Sequence, residues 1–314
     1  MYTTLQAPGE ERRGLGIAHV SPRPADPANT RSMIRWLHGP EAGLPTDWIR
    51  DLTVGGDRAL YAATPAGLLR LVGGIFSPAS APVALSLVTT GPDGTIWAAG
   101  EYGGQATVMK SGREVGSVAC RQLVALTASD DRALLVCERS VHRIVDTLST
   151  VDLDATELVA PANQPEPGEM RRPAVWLTGA VDDLVYGHTH VVARVARTGV
   201  HTVTRGHIRA TTSTPSGALL ADFDGRIIRV SGDDTQELFV EPGTERLHVG
   251  ASGAAWIVTA DHLIRRAAAA AGAARTSWSL AGPDYLSPGV LDVIELDGQA
   301  VLATNEGLWF LNPS

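Results

Sequence analysis

The sequence predicts an all-β fold, a seven-bladed β-propeller with four-stranded blades. One observation behind this prediction is a polar turn followed by a short apolar strand, a unit that occurs seven times at spacings of 35 to 50 residues. A period near 40 residues with strand content throughout is typical of propellers. The units are GGDRALYAAT (55–64), GPDGTIWAAG (91–100), SDDRALLVCE (129–138), AVDDLVYGH (180–188), TPSGALLADF (214–223), GASGAAWIVT (250–259) and LDGQAVLATN (296–305).

A second observation is one large apolar position shared by the seven units. Its residues are Tyr61, Trp97, Leu135, Val185, Leu220, Trp256 and Leu302. The strands around this position are nearly continuous runs of small and branched apolar residues, as expected when neighbouring blades cover both faces of a blade. Gly and Asp in the turns fit tight hairpins, which require positive φ angles and acceptors for turn amides. We therefore interpret Trp97 and Trp256 as packing residues between blades.

The two ends of the chain predict how the ring closes. The last unit is followed by GLWFL (307–311) and then only three more residues, so its blade lacks an outer strand. MIRWLH (33–38) has a strand pattern and precedes the first inner strand, 49–54. We expect it to complete the last blade, which removes an exposed sheet edge. The predicted organisation is an extended arm over residues 1–30 and a single propeller over residues 31–314.

Composition limits the classes of function. The net charge is −8 and the pI is about 5.6, and no basic run is present, which argues against nucleic-acid binding. No basic segment followed by an apolar stretch precedes the repeats, and no apolar run is long enough for a membrane span. We expect a cytoplasmic protein. Cys120 and Cys137 are then expected on adjacent strands of one blade as buried reduced thiols, with a redox pair as the alternative.

Two segments resemble known propeller repeats. GLPTDWIRDLTVGGDRALYAATPAGLLRL (43–71) resembles the repeat found in sensor domains of two-component regulators, and GLWFL (307–311) resembles the last part of that repeat. GPDGTIWAAG (91–100) resembles repeats of the streptogramin (virginiamycin B) lyase family. The lyase resemblance implies a histidine and a glutamate with magnesium at one face, but the motifs quoted are structural and assign no catalytic residue here.

The candidate site is the mouth of the central channel, where loops between second and third strands meet the loops that link blades. Histidine beside a carboxylate suits proton transfer at neutral pH. The candidate acid–base residues are His188, His207, Glu101 and Glu138, the glutamates being partners or metal ligands. The candidate substrate-binding residues are Tyr102, Arg121, Arg139, Trp176, Arg205 and Trp48. The alternative for His188 is hydrogen-bonded loop structure, and the alternative for Glu101 and Tyr102 is an exposed turn.

These residues predict a small-molecule enzyme of the lyase, isomerase or cyclase type, in specialised metabolism. The alternative is a non-catalytic propeller that acts as a protein-interaction platform or a small-molecule sensor, because no strong catalytic motif is present. The expected partner is a small-molecule substrate, with no nucleic acid and no membrane, and a protein partner is left open. No cofactor is expected, although a divalent metal such as magnesium is left open.

Overall fold

A computed structural model shows how the repeat folds. It describes residues 34–37, 43–44, 49–129, 132–137, 140–144, 148–150, 176–180, 183–188, 191–196, 199–205, 208–214, 217–232, 234–280, 290–304 and 307–311. Within these residues the strands pair into seven four-stranded antiparallel sheets. The prediction of an all-β propeller with four-stranded antiparallel blades is confirmed. No described helix has the length and apolarity needed to cross a membrane.

Five of the sheets consist of strands that follow one another in the chain from residue 51 to residue 240, and a sixth follows them. The first strand of the chain, β1 (Ile34–Leu37), belongs to the last sheet. The first three sheets are formed by β2 (Asp51–Val54), β3 (Leu60–Thr64), β4 (Gly67–Val72) and β5 (Ile75–Pro78); β6 (Leu87–Thr90), β7 (Ile96–Tyr102), β8 (Gln105–Lys110) and β9 (Arg113–Ala119); and β10 (Leu123–Ser129), β11 (Arg132–Cys137), β12 (Ser140–Ile144) and β13 (Leu148–Thr150).

The remaining four sheets repeat this hairpin order. They are formed by β14 (Trp176–Ala180), β15 (Asp183–His188), β16 (Val191–Ala196) and β17 (Gly199–Arg205); β18 (Ile208–Thr214), β19 (Gly217–Asp222), β20 (Arg226–Ser231) and β21 (Asp234–Val240); β22 (Arg246–Val249), β23 (Ala255–Val258), β24 (His262–Arg266) and β25 (Arg275–Ser279); and β26 (Val290–Leu296), β27 (Gln299–Thr304) and β28 (Gly307–Leu311) with β1.

The second strand of each blade is the most buried where burial is described. In β7 the first five residues are buried, in β19 and β27 the last five are buried, and in β23 all four are. Both faces of such a strand are covered because sheets stack against each other. The repeat's large position is fully buried at Trp97, Leu135, Leu220, Trp256 and Leu302, as predicted, and Tyr61 is partly exposed.

The core lies between neighbouring sheets. One apolar cluster joins Leu60 and Leu69 of the first sheet to Val301 and Leu308 of the last, and another joins Trp97 of the second sheet to Leu135 of the third. Trp278 of the outer strand β25 packs on Trp256 with ring centroids 6.1 Å apart. This outer-strand tryptophan extends the apolar core between the sixth and the last sheet.

The ends of the chain close the last sheet as predicted. Strand β1 pairs antiparallel with β28, with Ile34 opposite Leu311 and Leu37 opposite Leu308. The first strands of the seven sheets lie next to one another in chain order. Strand β2 contacts β6, each later first strand contacts the next, and β26 contacts β2. The first strands are therefore the innermost elements, and the N-terminal strand covers an edge that β28 would otherwise expose.

The two cysteines correct a prediction. Cys120 and Cys137 form a disulfide with Cα atoms 5.4 Å apart, and they are not reduced thiols. They do not lie on adjacent strands of one blade, because Cys120 directly follows β9 of the second sheet while Cys137 ends β11 of the third. The disulfide thus ties two sheets together. Disulfides persist mainly in oxidising compartments, so this bond does not favour a cytoplasmic location. The location stays a prediction.

Candidate functional site

The candidate site lies at the end of the ring where first strands begin and second strands end, here called the rim. Three of the predicted residues are described there. Tyr102 ends β7 with 86% of its side chain exposed, and Glu101 accepts a hydrogen bond from the Gly104 amide at 3.3 Å. Arg121 is exposed in the link between β9 and β10. The Cys120 amide beside it donates to the Gly104 carbonyl at 2.9 Å, so the three residues share one sector of the rim.

The other predicted residues are placed less fully. Trp176 begins β14, His188 ends β15 and Arg205 ends β17, so the backbone puts all three at the rim, but their side chains lie outside the described ones. Trp48, Glu138, Arg139 and His207 lie outside the described residues. These assignments stay predictions.

The structure adds a carboxyl pair that the sequence interpretation missed. Asp51 begins β2 and Asp292 lies near the start of β26, on neighbouring innermost strands. The two carboxyl groups are hydrogen-bonded to each other. The Leu52 amide donates to both, at 3.0 Å to Asp51 Oδ1 and 3.1 Å to Asp292 Oδ2. We call Asp51 and Asp292 the carboxyl pair.

Further backbone donors fix the carboxyl pair. The Val88 amide of β6 donates to Asp51 Oδ2 at 2.7 Å, and the Val293 amide donates to Asp292 Oδ1 at 2.8 Å. The pair therefore spans three consecutive innermost strands, β26, β2 and β6. Such backbone contacts hold both carboxyl groups in fixed orientations, which is the preorganisation that acid–base chemistry requires.

Burial governs the protonation of the pair. It raises the pKa of Asp292 to about 6, and together with the neighbouring Asp292 charge it raises the pKa of Asp51 well above the ordinary range of an aspartate. Backbone amides favour the ionised form of both groups but do not cancel this effect. Both carboxyl groups are therefore harder to ionise than a solvated aspartate, because two adjacent charges in a desolvated site repel each other.

An arc of polar contacts continues from the pair along the rim. The Arg246 guanidinium lowers the pKa of Asp292, and its Nε donates to the Leu291 carbonyl at 2.8 Å. Its Nη1 donates to the Glu245 carbonyl at 2.8 Å, and the Glu245 carboxylate pairs with Arg209 at 3.0 Å. The arc runs from β18 through β22 to β26 and places the Arg246 cation beside the pair.

Exposed apolar side chains accompany these polar groups. Phe223 is more than half exposed in the turn after β19 and lies against Arg209, whose guanidinium carbon is 5.6 Å from the ring centroid. Leu291 is exposed directly before Asp292. The turn that carries Phe223 is held by Asp222, which accepts bonds from the Arg226 amide and side chain. The rim therefore offers apolar and charged groups together, which is the usual composition of a small-molecule site.

The sequence contains one signal for the missed pair. In IRDLTV and VLDVIEL a single aspartate interrupts an apolar innermost strand. A charge inside such a strand is costly unless it is paired, so its presence indicates a specific partner. Among the residues that the structure describes, no three His, Cys, Asp or Glu side chains come together as a metal site.

Comparisons with known proteins bear on the fold. No family model matches the chain, and no curated protein matches its sequence. A streptogramin B lyase structure is similar over 90% of this chain and 97% of its own, with a TM-score of 0.65 and 12% identity. A catalytically inactive histidine-to-alanine variant of virginiamycin B lyase from Staphylococcus aureus, with quinupristin, gives 0.64 and 12% over 90% of this chain and all of its own.

A domain of a two-component system is similar as well. The extracellular domain of a putative hybrid two-component system from B. thetaiotaomicron gives a TM-score of 0.60 and 8% identity, over 85% of this chain and 38% of its own. The resemblance to lyase and regulator propellers read from the sequence is confirmed. At these identities the likeness shows the fold alone: the chain is a β-propeller similar in structure both to streptogramin lyases and to extracellular domains of two-component systems.

Proposed function

We propose that the seven sheets are the blades of one ring and that the rim of this ring binds a small molecule and transfers a proton to and from it. The contacts of each first strand with the next, including β26 with β2, support the seven-bladed count. The observation that carries the function is the carboxyl pair, in which two hydrogen-bonded carboxyl groups of raised pKa occupy neighbouring innermost strands at the rim.

A pair that shares one proton suits lyase, isomerase or cyclase chemistry. In an elimination, the ionised carboxylate takes a proton from carbon, the electrons of the C–H bond form the new double bond, and the protonated carboxyl gives its proton to the departing group. One proton is gained and one is lost, so the pair ends with the same charge. Environments that separate the protonation of two adjacent acids are how enzymes assign acid and base roles.

The sequence-based site residues extend this proposal. His188 and His207 would be further acid–base groups, with Glu101 and Glu138 as their partners. Arg121, Arg139 and Arg205 would hold an anionic group of the substrate, and Tyr102, Trp48 and Trp176 would contact its apolar part. The backbone positions of His188 and Arg205, at the rim ends of β15 and β17, support this placement.

A second candidate function is a sensor that binds a small molecule without converting it. The exposed Tyr102 and Phe223 favour this reading, because aromatic groups at a rim supply contact area without any catalytic chemistry. The structural likeness to a two-component extracellular domain also supports it. The two candidates differ in whether the ligand leaves chemically changed.

Mass spectrometry of a small-molecule mixture tests the catalytic proposal. The protein is incubated with a microbial metabolite extract to which quinupristin has been added, and the loss of each compound is measured. We expect the natural protein to consume at least one compound. Asp292→Asn should consume that compound at least about a hundredfold more slowly, since acid–base groups contribute a factor of this order to the reaction rate.

Asp297→Asn is the matched control for this experiment. Asp297 lies in the exposed turn after the same strand with a φ of 49°, a conformation that asparagine tolerates. It should consume the compound at the natural rate. Equal consumption by Asp292→Asn would contradict the acid–base role, and binding of a compound that is never consumed would favour the sensor.

A further inference from the structure

The disulfide sits beneath one sector of the rim. Cys120 and Cys137 are each 2% exposed, and the disulfide joins the end of the second sheet to the end of β11 in the third. The two cysteines are 17 positions apart in the chain, and the segment between them includes Arg121 and the whole of β10. Glu138 and Arg139 directly follow Cys137 in the chain. The covalent link therefore lies beside groups that the sequence assigns to ligand binding.

Backbone hydrogen bonds connect the disulfide to the turn of residues 101–104. The Cys120 amide donates to the Gly104 carbonyl at 2.9 Å, and the Gly104 amide donates to Glu101 Oε1 at 3.3 Å. Gly103 and Gly104 have φ angles of 63° and 79°, so this is a tight hairpin turn that presents Tyr102 to solvent. A change in the freedom of Cys120 can therefore reach Tyr102 through these contacts.

The disulfide is surrounded by apolar side chains. Both cysteines belong to one apolar cluster with Trp97, Val108 and Leu135, which lies between the second and third sheets. Two thiols can occupy the same apolar volume, because reduced cysteine behaves as a small apolar residue. Breaking the bond should therefore release the rim sector without opening the core below it.

We propose that the Cys120–Cys137 disulfide is a redox-controlled clamp on the rim sector formed by Glu101, Tyr102 and Arg121. In the oxidised form the sector is rigid and binds its ligand with little ordering cost. Reduction by a dithiol breaks the Sγ–Sγ bond, adds two electrons and two protons to give two thiols, and leaves the reductant as its own disulfide. The sector then opens locally, and its affinity for a ligand falls. This clamp does not rest on the carboxyl pair.

Hydrogen exchange with mass spectrometry tests the clamp on the natural protein before and after reduction by dithiothreitol. Peptide mapping without reductant should first show the Cys120–Cys137 bond in protein purified with thiols blocked. Reduction should then speed amide exchange of residues 101–104 and 120–122 about tenfold or more, because local opening sets these rates. Residues 217–232 on a distant sheet are the internal control and should not change.

A second measurement guards against a reduction that is incomplete at a buried bond. The variant Cys120→Ser/Cys137→Ser should show the same local increase as the reduced protein, and dithiothreitol should have no further effect on it. Three outcomes would overturn the proposal: free thiols in the natural protein, unchanged exchange at residues 101–104 after complete reduction, or accelerated exchange in every sheet, which would make the disulfide a support for the whole fold.

Discussion

Replacing Asp292 with asparagine is expected to flatten the pH dependence of stability. The pKa of Asp292 is about 6 in the folded protein and near 3.8 when unfolded, so between these values the folded state binds more protons than the unfolded state. The free energy of unfolding of the natural protein should therefore fall as pH rises from 4 to 7. A pKa shift of this size corresponds to a loss of roughly 3 kcal/mol in the free energy of unfolding over this pH range. The variant lacks this group and should not show that loss.

Urea unfolding at pH 4, 5.5 and 7 measures this effect for the natural protein and for Asp292→Asn. At pH 4 the natural protein is expected to have a higher free energy of unfolding than the variant. This difference should shrink or change sign by pH 7. The Asp297→Asn variant should follow the natural protein at every pH. A constant difference between Asp292→Asn and the natural protein across the range would show that the carboxyl pair does not hold a proton.

Deleting residues 30–40 is expected to abolish cooperative unfolding. The deletion removes β1, which supplies the outer strand of the last sheet and pairs with β28 over four residues. Without β1, β28 becomes an unpaired edge. The chain segment that leads from β1 in the last sheet directly to β2 in the first sheet is also lost. Scanning calorimetry should show a sharp transition for the natural protein and a broad or absent one for the variant.

Removing residues 1–29 alone is the control for this deletion. Those residues precede β1, so the truncated chain keeps the closing strand and should melt in one transition near the natural temperature. An undiminished, single sharp transition in the 30–40 deletion would show that the ring does not need the strand. Aggregation of that variant on heating would agree with an exposed β28 edge.

The repeat made most of the fold predictable from the sequence. Each unit carries its own turn residues and one large apolar position, so Trp97 and Trp256 could be placed between blades from local pattern alone. Closure was also predictable, because a missing outer strand at the C-terminus and a spare strand at the N-terminus complement each other. Both features depend on periodicity, which a single sequence displays directly.

The cysteines show where the pattern was insufficient. The interpretation placed Cys120 and Cys137 within one blade, but β9 extends to Ala119 and β10 begins only at Leu123. Cys120 therefore stands between two sheets. A shift of a few residues at a strand end decides whether a cysteine belongs to one blade or bridges two, and strand ends are the least certain part of any sequence interpretation.

The carboxyl pair was missed for a different reason. Leu52 and Asp292, which share a hydrogen bond, are 240 positions apart in the chain. They meet only because the ring brings β26 beside β2, the first of the repeated inner strands. Glu101, Tyr102 and Arg121 are polar residues at predicted loop positions, whereas Asp51 and Asp292 lie within strands whose apolar pattern indicates scaffold.

Carbon-13 NMR titration of the side-chain carboxyl groups of Asp51 and Asp292 tests the central claim most directly. Signals are assigned with Asp51→Asn and Asp292→Asn and followed from pH 3 to pH 9. We expect both groups to titrate above the ordinary range of an aspartate, one of them near pH 6, as a hydrogen-bonded pair that shares a proton at the rim. If both groups titrate near pH 4, as solvated aspartates do, the carboxyl pair is no proton-transfer site and the proposed function loses its support.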